Sequence, residues 1–443
     1  MAIDVLKTGN DGYDVNRGAF NLLLSQEPAA IVAPRDAADV IEAIAYAKAA
    51  GLRIGAQRTG HSAEPLGDLS GTLLLRTAAM SSVSIDAERR IARVGAGALW
   101  GDLVPQASDL GLAASHGSSP TVGIIGYSLG GGVGWYGRKH GLACNRVTAV
   151  ELVDAEGAER RVDADSDPEL FWALRGAAGD LGIVTALEFE LLPIAEVFAG
   201  AAFFPAERGG EVFHAWHEFT ATAPDEVTSL ARFMNFPPLP EIPEPMRGKS
   251  FAIIEAVALL GEAEATELLA PLRQLGGPAM DTFAVQPPAG IAGLHMDPPE
   301  PAPYAGAGML LGDLPGQAID AFVAAVGPDS GSRLSSAEIR HDGGAMGQMA
   351  PEHGAMNCLP GSFLMFGVGI TPVPEAMAPT KQWLGAMTDA MSPWDVGRYL
   401  NFSDESEDIA VAFPPETVER LCAAKAKYDP ENLFHANHPV VSG

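Results

Sequence analysis

Cysteine is scarce in this chain, and its three residues, Cys144, Cys358 and Cys422, lie far apart with no CxxC spacing. Neither a disulfide framework nor a zinc site is therefore indicated, and we expect no bound metal. Basic residues are also few, since 28 Lys and Arg face 56 Asp and Glu and the formal net charge is −28. Nucleic-acid binding needs clustered basic residues, so that class is excluded, and anionic membrane surfaces are disfavoured.

Long apolar runs are missing as well. No run approaches the ~20 residues that cross a membrane, and the first residues lack the basic-then-apolar order of a signal peptide. We therefore expect a bacterial, cytoplasmic protein with no membrane partner, and the oligomeric state is left open. What the chain does contain, 47% hydrophobic residues and 50 glycines among 443 residues, is typical of a folded protein with more than one domain.

The first half of the chain alternates short strands and helices. Asp36 is placed to cap a helix that ends at Gly51, and residues 52–56 are predicted to form the strand that follows. Residues 83–86 and 91–94 flank a short turn, which predicts a hairpin. This half is therefore a mixed α and β lobe.

The composition changes near Pro193 and becomes richer in Ala, Pro and Met. Two proline-rich stretches, 236–245 and 297–303, are predicted loops. Residues 335–341 resemble a strand with Ser336, Glu338 and Arg340 on one face. That polar face is either the floor of a substrate pocket or a solvated sheet edge, and both readings stay open. His295 and His353 lie in predicted loops and are assigned no role.

Glycine is densest between residues 117 and 134. Without Cβ atoms the main chain can approach a ligand and present N–H groups to phosphate oxygens, which favours a nucleotide cofactor, although glycine-rich turns also serve tight packing. The segment matches neither GxGxxG after a strand nor GxxxxGK[ST], so a nicotinamide-dependent Rossmann reductase is disfavoured. His61 lies in a loop after a predicted strand, and a lone histidine in such a place is more often structural than a ligand.

A series of motifs in order makes the assignment more specific. RTGH ends at His61, and PTVGIIGYSLGGGVGW, RKHGLACNRV, PELFWALRG, GDLGIVT, YLNF and YDPENLFHAN follow along the chain. Together they resemble the PCMH-type FAD-binding domain of the vanillyl-alcohol-oxidase superfamily. Within it the chain most resembles the berberine-bridge-enzyme-like branch, which includes bacterial 6-hydroxynicotine oxidases. Asn145 stands in RKHGLACNRV where the branch usually has Asp.

The resemblance implies an α+β fold. Its FAD-binding domain, residues 1–195, is expected to consist of two α/β subdomains. Residues 196–393 are expected to form a substrate-binding domain, an antiparallel sheet covered by helices. Residues 394–443 are expected to be the segment that returns to the FAD domain in this branch.

The resemblance also implies FAD bound covalently through His61. Relatives with a second, cysteinyl bond carry Cys two residues before TVG, where this chain has Ser119, so we expect a single covalent bond. The implied cofactor-binding residues are Arg58, Thr59, Gly60, His61, Ser62, Ser119, Thr121, Val122, Gly123, Gly126, Tyr127, Gly130, Gly131, Gly182, Val184, Asn401 and Asn437.

The implied function is oxidation of an alcohol, amine or ring carbon of a small metabolite, as in natural-product tailoring, with reoxidation by dioxygen. Tyr399 is the predicted catalytic base, although a phenol pKa near about 10 would have to be lowered. In a strand Arg398 would point away from it. Phe402 replaces a tyrosine that some relatives use. The alternatives are a sugar or oligosaccharide oxidase, a dehydrogenase, and a flavin-binding protein without turnover.

Overall fold

A three-stranded parallel sheet opens the fold in the computed structural model, which describes residues 3–177 and 179–440. Its strands, in the order β1-β3-β2, are β1 (Ala30–Val32), β2 (Arg53–Gln57) and β3 (Thr72–Arg76). They accompany helices α1 (Tyr13–Asn16) and α2 (Ala37–Ala50). The Asp36 carboxylate accepts from the Asp39 N–H at 3.0 Å, and Gly51 ends α2 with a φ of 66°. Both predicted helix signals are confirmed.

A five-stranded antiparallel sheet forms the second subdomain, in the order β4-β5-β8-β6-β7. Its strands are β4 (Val83–Asp86), β5 (Ile91–Gly95), β6 (Val147–Val153), β7 (Glu159–Val162) and β8 (Ile183–Glu190). The helices between them are α3 (Trp100–Asp109), α4 (Ile124–Leu129), α5 (Gly137–His140) and α6 (Pro168–Leu174). Strands β4 and β5 pair antiparallel, so the predicted hairpin is confirmed.

A nine-stranded antiparallel sheet follows, in the order β12-β9-β11-β10-β15-β16-β14-β17, with β13 also paired to β9. Its strands are β9 (Val197–Pro205), β10 (Val227–Asn235), β11 (Ser250–Ala258), β12 (Met280–Asp281), β13 (Ala284–Gln286), β14 (Tyr304–Leu311), β15 (Ser336–His341), β16 (Phe363–Ile370) and β17 (Asp395–Gly397). Helices α7 (Gly209–Thr220), α8 (Glu262–Arg273), α9 (Gly316–Val326) and α10 (Met377–Met391) bury their apolar sides against it. The predicted sheet covered by helices is confirmed.

The last part of the chain crosses back to the first domain. Strand β17 still pairs with β14, so the large sheet extends past residue 393. Residues 400–402 then form a 3-10 turn, which corrects the strand reading of the YLNF motif. Arg398 pairs with Asp395 at 2.7 Å. Helix α11 (Pro415–Tyr428) packs on α6 beyond this turn.

A buried ion cluster holds this C-terminal segment against the FAD-binding part of the chain. The Lys425 ammonium donates to Asp180 Oδ1 and to Asp429 Oδ2, each at 2.7 Å, and all three side chains are at most 3% exposed. Asp180 also accepts the Val440 N–H at 2.6 Å. Each carboxylate therefore depends on a single ammonium for its charge balance.

Replacing Lys425 with methionine is expected to lower the free energy of unfolding by about 3–5 kcal/mol, because two buried carboxylates lose their cation. Urea unfolding of the holoprotein measures this. Lys427→Met is the control, since Lys427 is exposed and its ammonium donates to the Tyr428 hydroxyl at 2.8 Å; we expect it to cost less than about 1 kcal/mol. Equal losses in both variants would contradict the prediction.

No helix among residues 3–177 and 179–440 is long and apolar enough to cross a membrane.

Candidate functional site

One continuous cavity of about 1580 Å³ lies between the three sheets. Ordinary small-molecule pockets occupy about 300–1,000 Å³, so this cavity has room for a dinucleotide and a second molecule. One end is walled by the first two sheets and the glycine-rich segment, and the other by the nine-stranded sheet. The two ends meet beside His61.

The first end begins at the carboxyl edge of the parallel sheet, where open parallel sheets bind their ligands. The loop that follows β2, residues 58–62, lies along the wall. Gly60 has a φ of +79°, and a Cβ there would lie 2.9 Å from Ala19. Only glycine fits this close approach, because a side chain would be strained and would clash.

The glycine-rich segment supplies the facing wall. Helix α4 begins after Gly123, and a Cβ at Gly126 would meet no protein atom within 4 Å, so this position opens onto the cavity. Gly130 has another role, because a Cβ there would collide with the Asn401 side chain. The Asn401 amide donates to the Tyr127 carbonyl at 3.0 Å. Glycine thus admits a cofactor at one position and the C-terminal segment at another.

His61 lies where the two ends of the cavity meet. Its ring stacks on Phe20 with centroids 3.7 Å apart, and its Nε2 lies 3.1 Å from Thr121 Oγ1. The Tyr304 hydroxyl donates to the His61 carbonyl at 3.0 Å. Burial lowers the pKa of His61 to about 4, so the imidazole is neutral at physiological pH and keeps a lone pair for bond formation.

Four histidines line the cavity, and His61 differs from the other three. His435 places one ring nitrogen 2.7 Å from Thr72 Oγ1 and the other 2.9 Å from a carbonyl. His295 and His438 also have both ring nitrogens engaged. In His61 the Nδ1 atom has no hydrogen-bond partner in the described part of the chain. It alone of the four offers a free ring nitrogen to a ligand.

Ser119 stands beside His61 on the wall, with its hydroxyl 2.9 Å from Thr121 Oγ1. Within the described chain, none of the three cysteines is among the residues that line the cavity. Cys144 is fully buried, with its thiol directed at the Met356 carbonyl. The side chains on the wall thus present one histidine nitrogen and no thiol to a cofactor.

The structure brings most of the predicted cofactor residues to this wall. They are Arg58, Thr59, Gly60, His61, Ser62, Ser119, Val122, Gly123, Gly126, Tyr127, Gly130, Gly182, Val184, Asn401 and Asn437. Two lie behind it. Thr121 reaches the site only through His61 and Ser119, and Gly131 packs against the Tyr399 ring, 3.1 Å from where its Cβ would be.

Tyr399, the predicted base, also lies behind the wall, and this position argues against that role. Its side chain is 2% exposed, and its hydroxyl oxygen accepts the N–H groups of Gly132 and Val133 at 2.9 and 3.0 Å. The Asn401 amide donates to the same oxygen at 3.0 Å. Burial raises the pKa of Tyr399 to about 12. The phenol therefore anchors the glycine-rich turn.

The second end of the cavity is mainly apolar. The two predicted proline-rich loops form much of it, together with β16 and Phe402. Phe402 lies 4.9 Å from the Phe366 ring, and the Arg340 guanidinium covers its other side at 5.0 Å. The apolar lining residues here are Met234, Phe236, Pro237, Pro238, Leu239, Ile242, Pro243, Met246, Met296, Pro298, Pro299, Phe366, Val368 and Ile370.

A buried ion cluster forms the floor of this end. It decides between the two interpretations of β15, because the polar face of that strand lines a pocket and is not a solvated sheet edge. That strand is central in the sheet, and Ser336, Glu338 and Arg340 line the cavity. Arg340 Nε donates to Glu338 Oε1 at 2.6 Å, and His295 Nε2 lies 3.0 Å from Glu338 Oε2. Burial alone would raise the pKa of Glu338, but Arg340 and His295 outweigh it and hold that pKa well below its ordinary value.

His295, which the sequence analysis left without a role, is the centre of this cluster. Its Nδ1 lies 2.7 Å from Glu255 Oε2, and Arg232 pairs with the same carboxylate. Burial and Arg232 lower the pKa of His295, but Glu255 and Glu338 overcome both and raise it to about 9. The available sequence signal for this cluster was one charged residue in each of two largely buried strands, Arg232 in β10 and Glu255 in β11.

Asp404 is a second titratable residue of the cavity that the sequence analysis did not consider. It lines the cavity two residues after Phe402, and its Oδ2 is buried without a hydrogen-bond partner in the described ranges. Burial, assisted by the Glu64 carboxylate, raises the pKa of Asp404 to about 7. It also lies near Tyr304, whose pKa it raises and which holds the His61 loop. Asp404 is therefore a carboxyl at the cavity wall near Tyr304, where the neighbouring charge that raises its pKa is another carboxylate.

The fold and this site define an FAD-dependent oxidoreductase. A family model of the FAD binding domain matches residues 28–163, and one described as berberine and berberine like matches residues 398–441. The chain is therefore similar to the berberine-bridge-enzyme-like FAD-linked oxidoreductases, the resemblance that its motifs predicted.

Individual relatives agree with this placement. (R)-6-hydroxynicotine oxidase of Paenarthrobacter nicotinovorans is 29% identical over 99% of this chain and 96% of its own length. The solved structure of BBE-like 1 of Physcomitrella patens has a TM-score of 0.86 at 22% identity, covering 100% of this chain and 97% of that one. Glucooligosaccharide oxidase from Acremonium strictum, with a 6-S-cysteinyl, 8α-N1-histidyl FAD, has a TM-score of 0.81 at 23% identity, covering 100% and 97%. At these identities the two solved structures establish the fold.

Proposed function

We propose that this protein is an oxidase with FAD attached through a single covalent bond to His61. In this proposal it oxidises an alcohol, amine or ring carbon of a small, largely apolar metabolite. The observation that carries the proposal is the neutral His61 ring, with one free nitrogen, at the meeting point of a nucleotide-sized cavity and an apolar pocket. When bound, FAD accepts a hydride from the substrate and passes the electrons to dioxygen.

The residues present fit this cofactor. The open position at Gly126 and the glycine-dependent loop at Gly60 leave main-chain groups accessible along a long wall. Gly182 and Val184 continue that wall on β8 and the turn before it, and Asn437 donates to the Ser62 carbonyl from the C-terminal segment. We infer that these residues hold the dinucleotide and that His61 fixes its ring end.

An apolar substrate body is favoured over an oligosaccharide. Each sugar hydroxyl buried without a hydrogen-bond partner costs about 1–3 kcal/mol, and the second end of the cavity offers mainly aliphatic and proline side chains. The charged groups of its floor already pair with one another, since Glu338 is held by Arg340 and His295. The similarity to glucooligosaccharide oxidase concerns the fold, so it does not carry over to the substrate.

Asp404 is the base that the geometry favours. Glu338 is paired with two cations, and Tyr399 lies behind the wall. Asp404 has an unpaired carboxylate oxygen and a pKa of about 7, close to the value at which a general base works best at neutral pH. We infer that it accepts the proton from the substrate O–H or N–H as the hydride leaves carbon.

A metabolite panel with peroxide detection tests the function. We expect peroxide with aromatic or alicyclic alcohols and amines, and none with mono- or oligosaccharides. Each positive compound is then mixed anaerobically with the protein to see whether the flavin is bleached. Peroxide from sugars alone would contradict the substrate class, and a flavin that no compound reduces would support a non-catalytic flavoprotein.

The serine beside His61 allows a gain-of-function prediction. Ser119→Cys is expected to form a second, thioether bond to the flavin, because the Ser119 side chain lines the cavity next to the His61 contact. Combined with His61→Ala, it should leave part of the flavin bound after denaturation, which mass spectrometry of the flavin peptide detects. Ser62→Cys is the matched control. Flavin on neither cysteine would argue against this placement of the ring.

A further inference from the structure

We propose that one water molecule occupies a small cavity behind the wall of the large one and joins Asp342 to the Ser118–Asp297 pair. Through this water Asp342 exchanges protons with the large cavity. Asp342 follows β15 directly, and the role inferred for it requires neither an identified substrate nor a particular base.

The small cavity has the size of a single water molecule. Its volume is about 20 Å³, and a cavity of about 10–15 Å³ or more holds one water when two to four polar groups face it. Ser118 and Arg340 line both this cavity and the large one, so the two cavities share a wall. The polar side chains around the small cavity belong to Ser118, Trp135, Thr228, Ser229, Arg340 and Asp342.

Two buried side chains at this cavity lack hydrogen-bond partners. Asp342 is 1% exposed, and neither of its carboxyl oxygens has a partner among residues 3–177 and 179–440. The Trp135 Nε1–H is also buried and has no acceptor within the same ranges. Buried polar groups are nearly always hydrogen-bonded, either to protein or to ordered water. One water satisfies both side chains, because it accepts from the indole and donates to a carboxyl oxygen.

The charges around Asp342 favour water over an ion as the occupant. Arg340 and Arg138 lie near and repel a cation, whereas Asp342 itself and Glu338 repel an anion. The Tyr127 hydroxyl lies near as well and donates to the Val133 carbonyl at 2.7 Å. Burial raises the pKa of Asp342 to about 7, although Arg340 and Arg138 lower it. The carboxyl can therefore both hold and release a proton at neutral pH.

Ser118 supplies the connection to the large cavity. Its hydroxyl donates to Asp297 Oδ2 at 2.7 Å, and the Asp297 side chain lines the large cavity. The water, the Ser118 hydroxyl and the Asp297 carboxylate thus form a chain that begins at Asp342. When a proton moves along it, each O–H passes its hydrogen on and receives another. Asp342 loses one proton and Asp297 gains it, so the charge of Ser118 is unchanged.

The infrared C=O stretch of a protonated carboxyl tests the route in the full-length holoprotein. We expect a band that titrates near pH 7, is missing in Asp342→Asn and remains in Asp404→Asn. After transfer to D2O, this band should exchange its proton about tenfold more slowly in Ser118→Ala, the effect of losing one hydrogen bond from the route. Ser250→Ala is the matched control and should exchange like the wild type, because Ser250 lines the large cavity and not the small one.

Trp135→Phe tests the water itself. Without the indole N–H the water is held less well, so the Asp342 band should move to higher frequency. Trp100→Phe removes another unpartnered indole N–H, away from the small cavity, and should leave the band in place. A crystal structure of the wild-type protein should show one water between Trp135 Nε1 and Asp342.

Three results would each overturn the inference: a cavity without water in that crystal structure, no carboxyl band lost in Asp342→Asn, or equal exchange in Ser118→Ala and the wild type. None of these measurements involves turnover or flavin attachment. Their failure would therefore leave the proposed function standing, and the peroxide panel would still test it.

Discussion

Replacing His61 with alanine is expected to release essentially all of the flavin into the supernatant when the protein is precipitated with acid. The wild-type precipitate should stay yellow, because the bond from the imidazole survives denaturation. The reason is structural, since His61 is neutral and alone among the cavity histidines has a free ring nitrogen in the described chain. The visible spectra of supernatant and precipitate measure the outcome directly.

His435→Ala is the control for this experiment. His435 also lines the cavity, but both of its ring nitrogens are engaged, by Thr72 and by the Leu66 carbonyl. We expect it to keep its flavin in the precipitate. Flavin that stays bound in His61→Ala would refute the attachment. Flavin lost equally from both variants would show that the cavity, and not one bond, had been damaged.

Replacing Asp404 with asparagine is expected to slow substrate-driven flavin reduction by about 10²- to 10⁴-fold, the usual contribution of a general base. The wild-type rate should fall as the pH drops below about 7, because burial raises the pKa of Asp404 to about 7 and the protonated carboxyl cannot accept the substrate proton. Above that pH the carboxylate is ionised and the rate should level off. In Asp404→Asn this acidic limb should disappear.

Stopped-flow reduction between pH 5 and 9, with a substrate found in the panel, measures this effect. Glu405→Gln is the control, because Glu405 is the exposed neighbour of Asp404 and is not among the lining residues. It should keep the rate and an acidic limb, moved slightly to lower pH because the Glu405 charge helps to raise the pKa of Asp404. If the acidic limb of the wild-type rate profile persists unchanged in Asp404→Asn, a group other than Asp404 accepts the substrate proton.

Local signals predicted the α/β lobe well because they act over a few residues. The cap at Asp36, the stop at Gly51 and the hairpin β4–β5 each depend on near neighbours in the chain, and all three are present. The ordered motifs predicted the family and the fold class for a related reason. Glycines such as Gly60 are required wherever the main chain makes a close approach, so they leave a mark in the sequence.

The roles of single polar side chains were less predictable. Tyr399 has the residue type of a base and stands in the expected motif, yet its hydroxyl is used to hold two backbone N–H groups. His295 had no motif around it and became the centre of a buried ion cluster. Burial and partners decide such roles, and both come from strands far apart in the chain.

The sequence by itself predicted a single attachment through His61, because Ser119 stands where relatives with a second bond carry a cysteine and that choice is visible in residue identity. Only the tertiary structure decided which groups are left without partners. Asp404 is a common residue type in an ordinary context, and it becomes a candidate because folding buries its carboxylate at the cavity wall, where the charge that acts on it is the Glu64 carboxylate. Desolvation changes the protonation and the affinity of such groups, and it exists only after the chain has packed.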